Sequence, residues 1–312
     1  MGSGFLLEPR EAHNLLAIDP KNYDVIFPYL IGDDINSRVD STPSRWVIQF
    51  DERDEQQSSR YSDVWSLALE RIRPSRLEKD EKKYPRMVNE WWKHWGNKKD
   101  LHQKIRNLDR VLVVARSSDT LAFQFYETGI VFSDATVVVA SDQVRMFALL
   151  QSSIHSAWAR HHSSSLKGDL RYSPSDAFVT FAFPDNLSLL EDSGENLLAS
   201  RESARSELNL SLTGLFNLIN DEGNIFEQVK NTRRAIVDND YKVLEAYGFD
   251  DIQLGHDFYE VNGRSRFTIS DSARFAILDR LLEINHQRYA EEQVQSASGN
   301  PKAKVVKQST MF

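Results

Sequence analysis

Residues 145–184 read RMFALLQSSIHSAWARHHSSSLKGDLRYSPSDAFVTFAFP. Apolar side chains recur in the first half of this stretch at the spacing of one helical face, as Phe147, Leu150, Ile154 and Trp158. A polar loop with charged side chains comes next, and an extended apolar segment follows it. The stretch therefore predicts an amphipathic helix that begins near Ser141, packs on a sheet and leads into an exposed, charged loop.

The charged loop has long side chains at every second position, at Lys167, Asp169 and Arg171. In an extended segment such side chains share one face. Arg and Lys suit the O6 and N7 acceptors of guanine in the major groove, and Asp can accept from the cytosine amino group. The pattern therefore fits a surface that reads base edges. It also fits an exposed strand end whose charges are solvated or pair with one another.

Four further segments are rich in β-branched and aromatic residues and predict strands. They are SRWVIQF (44–50), RVLVVAR (110–116), LAFQFY (121–126) and IVFSDATVVVA (130–140). Pro9 suits the first turn of a helix, and Asp19-Pro20 is placed to end it. These segments predict a mixed α/β domain over residues 1–184.

The composition becomes acidic and helix-periodic after Pro184, which predicts a domain boundary there. Gly248 is placed to end a helix. The apolar face of that helix is predicted from Ile225, Val229, Ile236, Val237, Tyr241 and Leu244. Asn262-Gly263 lies between two short strand-like runs, which is a strong hairpin signal.

Ser270 can cap the last helix. Its inward side is predicted from Ile277, Leu281, Leu282 and Tyr289. Residues 185–294 thus predict a mainly helical C-terminal domain with a small β-hairpin, and residues 295–312, rich in Ser, Gln and Lys, a disordered tail. The fold class predicted for the whole chain is α+β, and its 312 residues suffice for two such domains.

The net charge of −8 argues against a polyanionic partner, but the charge is unevenly distributed. Residues 82–116 contain 10 basic against 3 acidic residues, whereas residues 185–295 contain 11 against 21. Basic side chains in the first range can neutralise phosphates without reading sequence. The candidates are Lys82, Lys83, Arg86, Lys93, Lys98, Lys99, Lys104 and Arg106. A solvated helical face is the alternative for each of them.

Composition narrows the class of protein further. The chain has no cysteine, which excludes disulfides and Cys-based zinc sites and fits a reducing compartment. No signal peptide is visible, and no apolar run approaches the roughly 20 residues that cross a bilayer. We therefore expect a cytoplasmic protein.

Three other groups of residues have a simpler structural explanation. His155, His161 and His162 lack a carboxylate at ligand spacing, so no metal site is expected. Glu81-Lys82-Lys83 matches half of a nuclease centre but sits in a charge run without strand character. The tryptophans at positions 91, 92 and 95 could stack on unpaired bases, yet their helical spacing favours core packing for at least two of them.

Long blocks of the chain resemble the type IIL (MmeI-like) restriction-modification methyltransferases. The blocks similar to the target recognition domain are FLLEPREAHNLLAIDPKN (5–22), DVIFPYLIGDDINSR (24–38), SRWVIQF (44–50), DRVLVVAR (109–116) and FALLQSS (147–153). Those similar to the helical C-terminal domain are GFDDIQLGHDFYE (248–260) and RFTISDSARFAILDRLLEINHQRYAEE (266–292). The blocks follow the order of the family and extend over nearly all of residues 4–292.

The resemblance implies recognition of double-stranded DNA in the service of adenine N6 methylation. It supports Lys167, Asp169 and Arg171 as base readers, because they occupy the alternating positions that the family uses. Ala135 lies in the strand segment that the family pairs with the Arg171 position. The remaining candidates for base or backbone contacts are Tyr172 and Ser173.

The sequence lacks two motifs of complete relatives, the Gly-rich S-adenosylmethionine loop and the Asn-Pro-Pro-aromatic tetrapeptide. We therefore expect no catalytic residue and no cofactor in this chain, with S-adenosylmethionine held by a methyltransferase domain or subunit as its partner. A different hypothesis is an acidic assembly or regulatory module that binds a methyltransferase rather than DNA. Only the DNA hypothesis requires salt-sensitive binding to duplexes.

Overall fold

The computed structural model describes residues 2–96, 99–166 and 169–297. The helices, numbered in chain order, are α1 (Pro9–Ile18), α2 (Gly32–Ser37), α3 (Glu55–Ser58), α4 (Ser62–Arg71), α5 (Arg73–Leu77), α6 (Pro85–Asn89), α7 (Lys99–Ile105), α8 (Val144–Gln151), α9 (Ser153–His162), α10 (Glu191–Leu208), α11 (Leu212–Ile219), α12 (Glu227–Tyr247) and α13 (Asp271–Ala297). The strands are β1 (Leu6–Leu7), β2 (Ile26–Leu30), β3 (Arg45–Ile48), β4 (Arg110–Ala115), β5 (Ser117–Ser118), β6 (Gln124–Glu127), β7 (Val131–Phe132), β8 (Thr136–Val139), β9 (Ser164–Leu166), β10 (Asp169–Arg171), β11 (Asp257–Val261) and β12 (Arg264–Thr268).

The strands form small sheets rather than one large one. One sheet has the order β1-β3-β2-β7, with β2 and β7 parallel, and another has the order β6-β4-β8. A three-stranded antiparallel sheet, β5-β10-β9, carries the charged segment singled out in the sequence. Strands β11 and β12 form a separate hairpin. The predicted α+β class is confirmed.

Local sequence signals place the N-terminal elements well. Pro9 starts α1, and the Asp19 side chain accepts a hydrogen bond from the Lys21 backbone N–H and caps the next helical turn. The strands predicted at 44–50 and 110–116 are confirmed as β3 and β4. These predictions succeed because proline placement, Asx capping and β-branched runs act over a few residues.

Two predicted elements are each divided in the structure. The single helix expected from residue 141 is two helices, because Ser152 is extended and its hydroxyl accepts from the His155 N–H, which caps α9. The single strand expected at 130–140 is β7 and β8, separated by a turn in which the Ser133 hydroxyl accepts from the Ala135 N–H. In both places a serine side chain replaces a backbone partner and ends the element.

The C-terminal helices follow the prediction at their ends. Gly248 terminates α12 with a positive φ of 70°. Asn262 and Gly263, also at positive φ, form the turn of the β11–β12 hairpin, as predicted. The Ser270 hydroxyl accepts from the Ala273 N–H at the start of α13, which confirms the predicted cap.

The predicted inner faces of α12 and α13 need correction. Ile225 and Tyr241 are exposed, and so is Tyr289 of α13, although all three were expected to face inward. The buried face of α12 instead includes Asn239 and Asp240, whose side chains bond to backbone groups of α8 and α9. Polar groups with specific partners therefore replace apolar ones at this helix contact.

The core is continuous across residue 184. Trp158 and Phe181, from before that residue, belong to one apolar cluster with Leu244 and Ile277, from after it. The boundary at Pro184 therefore stays a prediction about chain organisation, since the two parts share buried packing. Within the described ranges no helix is both long and apolar enough to span a membrane.

Gly194 in α10 lies directly against α8, and this close approach yields a stability prediction. A Cβ at this position would come within 2.9 Å of Ala148 Cβ and Val144 Cγ1 and 3.0 Å of the Val144 carbonyl oxygen. Overpacking typically costs about 1–3 kcal/mol, more than the about 1 kcal/mol that alanine gains over glycine in a helix. We expect Gly194→Ala to lower the free energy of unfolding by about 1–2 kcal/mol in urea denaturation.

Gly214→Ala in α11 is the matched control for this substitution. The nearest atom to a Cβ there is Leu210 Cδ2 at 3.3 Å, the end of a flexible side chain that can move aside. We expect this variant to be as stable as the wild type or slightly more stable. Equal stability of the Gly194→Ala and Gly214→Ala variants would contradict the prediction, because it would mean that α8 and α10 can move apart without a cost in stability.

Candidate DNA interface

The sheet β5-β10-β9 places two of the predicted base readers on one face. Leu170 is buried, whereas Arg171 is exposed and the Asp169 side chain retains 44% of its exposure. Strand β10 thus alternates as the sequence predicted, with an apolar side chain inward and charged ones outward. Lys167, the third residue of the pattern, lies outside the described residues, as does Gly168.

The predicted neighbour Ala135 joins this surface through backbone hydrogen bonds. The Arg116 N–H donates to the Ala135 carbonyl at 2.8 Å, and the Arg116 carbonyl accepts from the Tyr172 N–H at 2.7 Å. Arg171 pairs with Ser117, the next residue along. Ala135 is exposed at the turn before β8. The backbone of one residue, Arg116, therefore connects the Ala135 turn to strand β10.

Arg116 is a candidate that the sequence interpretation missed. It is half-buried, and its buried Nε has no hydrogen-bond partner within the described ranges. The available signal was its position as the last residue of the strand segment RVLVVAR, where a basic side chain follows a buried run. It stands between two predicted base-reading positions.

The prediction for Tyr172 is wrong in this conformation. Its side chain is only 1% exposed, and its hydroxyl donates to His155 Nε2 at 3.1 Å, because His155 Nδ1–H donates to the Leu150 carbonyl at 2.8 Å. Burial raises the pKa of the Tyr172 phenol. Tyr172 is a core residue that anchors strand β10 rather than a base contact.

Ser173 is half-buried next to this anchor. Its hydroxyl donates to Asp176 Oδ2 at 2.6 Å and lies 3.1 Å from the Ser175 hydroxyl. In this structure the Ser173 side chain stabilises the turn that follows β10. A contact with a base stays a prediction for this residue.

Residues of the C-terminal hairpin reach the same sheet, which the sequence did not predict. Arg264 Nη1 lies 2.7 Å from Asp119 Oδ2 and 3.9 Å from Asp169 Oδ1. Arg266 forms an ion pair with the other oxygen of Asp119. Arg266 and Asp119 are 147 residues apart in sequence, and Arg264 and Asp169 are also distant, so no local pattern could have indicated these pairs.

The candidate phosphate-binding residues divide into three groups. Lys82, Lys83 and Arg106 are exposed, and Arg86 is exposed but forms an ion pair with Glu90 at 2.9 Å. Lys104 is half-buried, and Lys99 begins α7. Lys98 lies outside the described residues.

Lys93 differs from the rest of this set. Its side chain is only 10% exposed, and its ammonium lies 2.6 Å from Glu90 Oε1. Glu90 thus neutralises a cation that the sequence had assigned to phosphate. The ion pair and partial burial make Lys93 the least available of the candidates in this structure, and a phosphate contact stays a prediction for it.

The remaining groups considered in the sequence are mainly structural. Trp91 and Trp92 are buried, as expected, and Trp95 is 47% exposed and lines a cleft of about 300 Å³. His155 is wholly buried in the core. In the described part of the chain no three His, Asp or Glu residues come together at a spacing that could hold a metal ion.

An exposed strand with alternating acid and base, on a mixed α+β framework that also has exposed basic side chains at positions 82, 83 and 106, fits a nucleic-acid recognition domain. The family model described as "MmeI, target recognition domain" matches residues 1–185. The chain therefore belongs to the MmeI target recognition domain family. This confirms the resemblance noted in the sequence and supports DNA sequence recognition within a restriction-modification enzyme.

A solved structure agrees with this assignment at the level of the fold. The type IIL restriction-modification enzyme MmeI, solved in complex with DNA, is similar with a TM-score of 0.65 and 20% sequence identity. The similarity covers 92% of this chain and 34% of that one, so this chain spans about a third of the length of the enzyme. Comparison with the curated proteins returned no match.

Proposed function

We propose that this chain is the specificity portion of an adenine-N6 DNA methyltransferase of the restriction-modification type. The observation that carries the proposal is the pair Asp169 and Arg171, held on one face of β10 beside the Ala135 turn in a target recognition domain. The chain binds double-stranded DNA and leaves the chemistry to a catalytic domain or subunit.

The reading step uses the two exposed groups of β10. The Asp169 carboxylate accepts from a cytosine N4 amino group, and the Arg171 guanidinium donates to guanine O6 and N7. Backbone pairing of Arg171 with Ser117, and the buried anchor Tyr172, fix the strand that presents them. A rigid strand is the suitable support, because discrimination between bases depends on hydrogen-bond geometry.

Binding to the DNA backbone depends on charge and carries no sequence information. Exposed Lys82, Lys83 and Arg106 neutralise phosphates and set the position of the protein on the duplex. The strongly acidic composition of residues 185–295 disfavours contact with the DNA backbone over most of that part of the chain.

The methyl donor does not fit this chain. S-adenosylmethionine in the proposed enzyme requires a glycine-rich loop, and the described glycines at positive φ, at positions 129, 248, 255 and 263, lie in separate turns. We assign donor binding and the target adenine to the catalytic partner. No step of methyl transfer is assigned to residues of this chain.

Selection from a random duplex library tests the proposal, using the purified chain at low and near-physiological salt. We expect enrichment of one short motif by the wild type. Asp169→Ala and Arg171→Ala should each lose about 1–3 kcal/mol of discrimination at one base pair and leave the salt dependence nearly unchanged. Competition binding with duplexes substituted at each position of the motif measures the loss.

The matched control is the double variant Lys82→Ala/Lys83→Ala. It should weaken binding to all duplexes alike and make the salt dependence shallower, by about two phosphate contacts. Unaltered base preference in the Asp169 and Arg171 variants would contradict the assignment of base reading to β10. Absence of salt-sensitive duplex binding would instead favour the acidic assembly module.

A further inference from the structure

Two carboxylates, those of Asp119 and Asp169, lie near each other at one end of the sheet β5-β10-β9, the reading sheet, since Arg264 Nη1 is within 4 Å of both. In the antiparallel pairing of β5 with β10, Leu170 is opposite Ser118 and Arg171 is opposite Ser117. The same register, carried one residue further, places Asp119 opposite Asp169. Like charges in directly opposed positions destabilise an antiparallel pair, and a nearby DNA backbone would add to the repulsion. A cation between them offsets this repulsion and favours a fixed position of the Asp169 carboxylate.

Arg264 provides that cation from the C-terminal hairpin. Its Nη1 contacts Asp119 Oδ2 at 2.7 Å and lies 3.9 Å from Asp169 Oδ1. Among the residues that the structure describes, Arg264 is the cation that pairs with Asp169. The Arg264 side chain is 52% exposed, so the bridge lies at the surface where DNA would approach.

Asp119, the carboxylate nearer to Arg264, has more partners than Asp169. Arg266 is mostly buried and forms an ion pair with Asp119 Oδ1, and Arg160 donates to the Asp119 carbonyl at 2.9 Å. Burial lowers the pKa of Arg160 to about 10, which leaves it charged at neutral pH. Asp119 is thus held by several partners, and Arg264 extends from it toward the Asp169 carboxylate.

We propose that Arg264 is a positioning residue for base recognition, which holds the Asp169 carboxylate in the orientation that accepts from a base. The inference rests on the proposed function, in which Asp169 reads a base pair. It assigns part of the sequence specificity to the C-terminal hairpin, outside the residues 1–185 that the recognition-domain family covers. Arg264 acts through Asp169 and makes no base contact of its own.

The test measures base preference in the full chain by competition binding. Arg264→Gln should reduce the preference for the correct base pair at the Asp169 position by about 2- to 5-fold, and leave preferences elsewhere in the motif unchanged. Arg264→Lys should restore part of the loss because it keeps the charge. In an Asp169→Ala background, Arg264→Gln should have no further effect on base preference.

Arg234→Gln is the control, because Arg234 is an exposed arginine of α12 that pairs with Glu227. It should leave base preference unchanged. Thermal denaturation of every variant checks that each one is folded under the conditions of the binding measurements. A uniform loss of affinity for all duplexes with a shallower salt dependence would identify Arg264 as a phosphate contact and overturn the proposal.

Additive effects of Arg264→Gln and Asp169→Ala on base preference would overturn it as well, because a residue that acts through Asp169 cannot act in its absence. Failure of the proposed function has a different signature. In that case the wild type itself shows no base preference, and the proposal about Arg264 falls with it.

Discussion

Asp240→Ala is expected to lower the free energy of unfolding by about 3–5 kcal/mol, the largest effect of any single substitution considered for this chain. Asp240 is completely buried in α12. One carboxylate oxygen accepts from the Ser153 N–H at 2.8 Å, and the other accepts from His256 Nε2 at 2.8 Å. Removal of the carboxylate leaves two buried donors without an acceptor, and each costs about 1–3 kcal/mol.

The position of Asp240 explains why so much depends on it. Ser153 is the first residue of α9, where unpaired N–H groups and the helix dipole favour a negative group. His256 lies immediately before β11. The Asp240 side chain therefore connects three elements. It belongs to α12, and it bonds both to α9, which leads to the sheet β5-β10-β9, and to His256, which precedes the hairpin that carries Arg264.

Urea denaturation at neutral pH is the measurement for this prediction. Asp238→Ala is the matched control, since Asp238 is an exposed acid two residues away on the same helix, and it should change stability by less than about 0.5 kcal/mol. Asp240→Asn keeps one acceptor oxygen and should lie between the two. Similar stability of the Asp240 and Asp238 alanine variants would contradict the assigned role of the buried carboxylate.

The sequence predicted strand β10 because the alternation of its side chains depends only on neighbouring residues. Alternation at positions 169, 170 and 171 follows from the geometry of any extended segment. The same alternation, carried one residue further, places Tyr172 with Leu170 on the buried face. The error on Tyr172 was therefore avoidable, and the signal for its burial was present in the pattern itself.

The helix break at Ser152 had a weaker signal. The apolar spacing of Phe147, Leu150, Ile154 and Trp158 continues across it, because both helices contribute to the same two apolar clusters. Only the pair Ser152-Ser153, a typical N-cap position, indicated a new helix. Capping and periodicity gave conflicting predictions, and tertiary packing decided between them.

Buried polar contacts between distant segments lay beyond prediction. Asn239 donates to the Ala148 carbonyl and Asp240 accepts from Ser153, across 91 and 87 residues of sequence. Arg264 and Asp169 are similarly far apart. Such pairs depend on how helices and hairpins dock, and an apolar face is the better expectation from composition alone.

Acidification is expected to destabilise the fold through His155, by up to about 3 kcal/mol. Burial lowers the pKa of His155 from 6.5 to about 4. Below pH 6.5 the unfolded chain therefore binds a proton that the folded chain does not, and stability falls as the pH decreases toward 4. Only near and below pH 4, where the folded chain also takes up the proton, can His155 no longer accept from the Tyr172 hydroxyl, and the anchor of strand β10 is then lost.

Urea denaturation between pH 7 and pH 4.5 measures this effect. His94, whose pKa burial likewise lowers to about 4, adds to the wild-type slope, so the comparison must be between variants. His155→Gln should be less stable at pH 7 but should show a smaller decrease on acidification. His161→Gln, an exposed histidine of the same helix, should keep the wild-type decrease. Parallel pH curves for the wild type and His155→Gln would show that His155 is not the group that takes up the proton on unfolding.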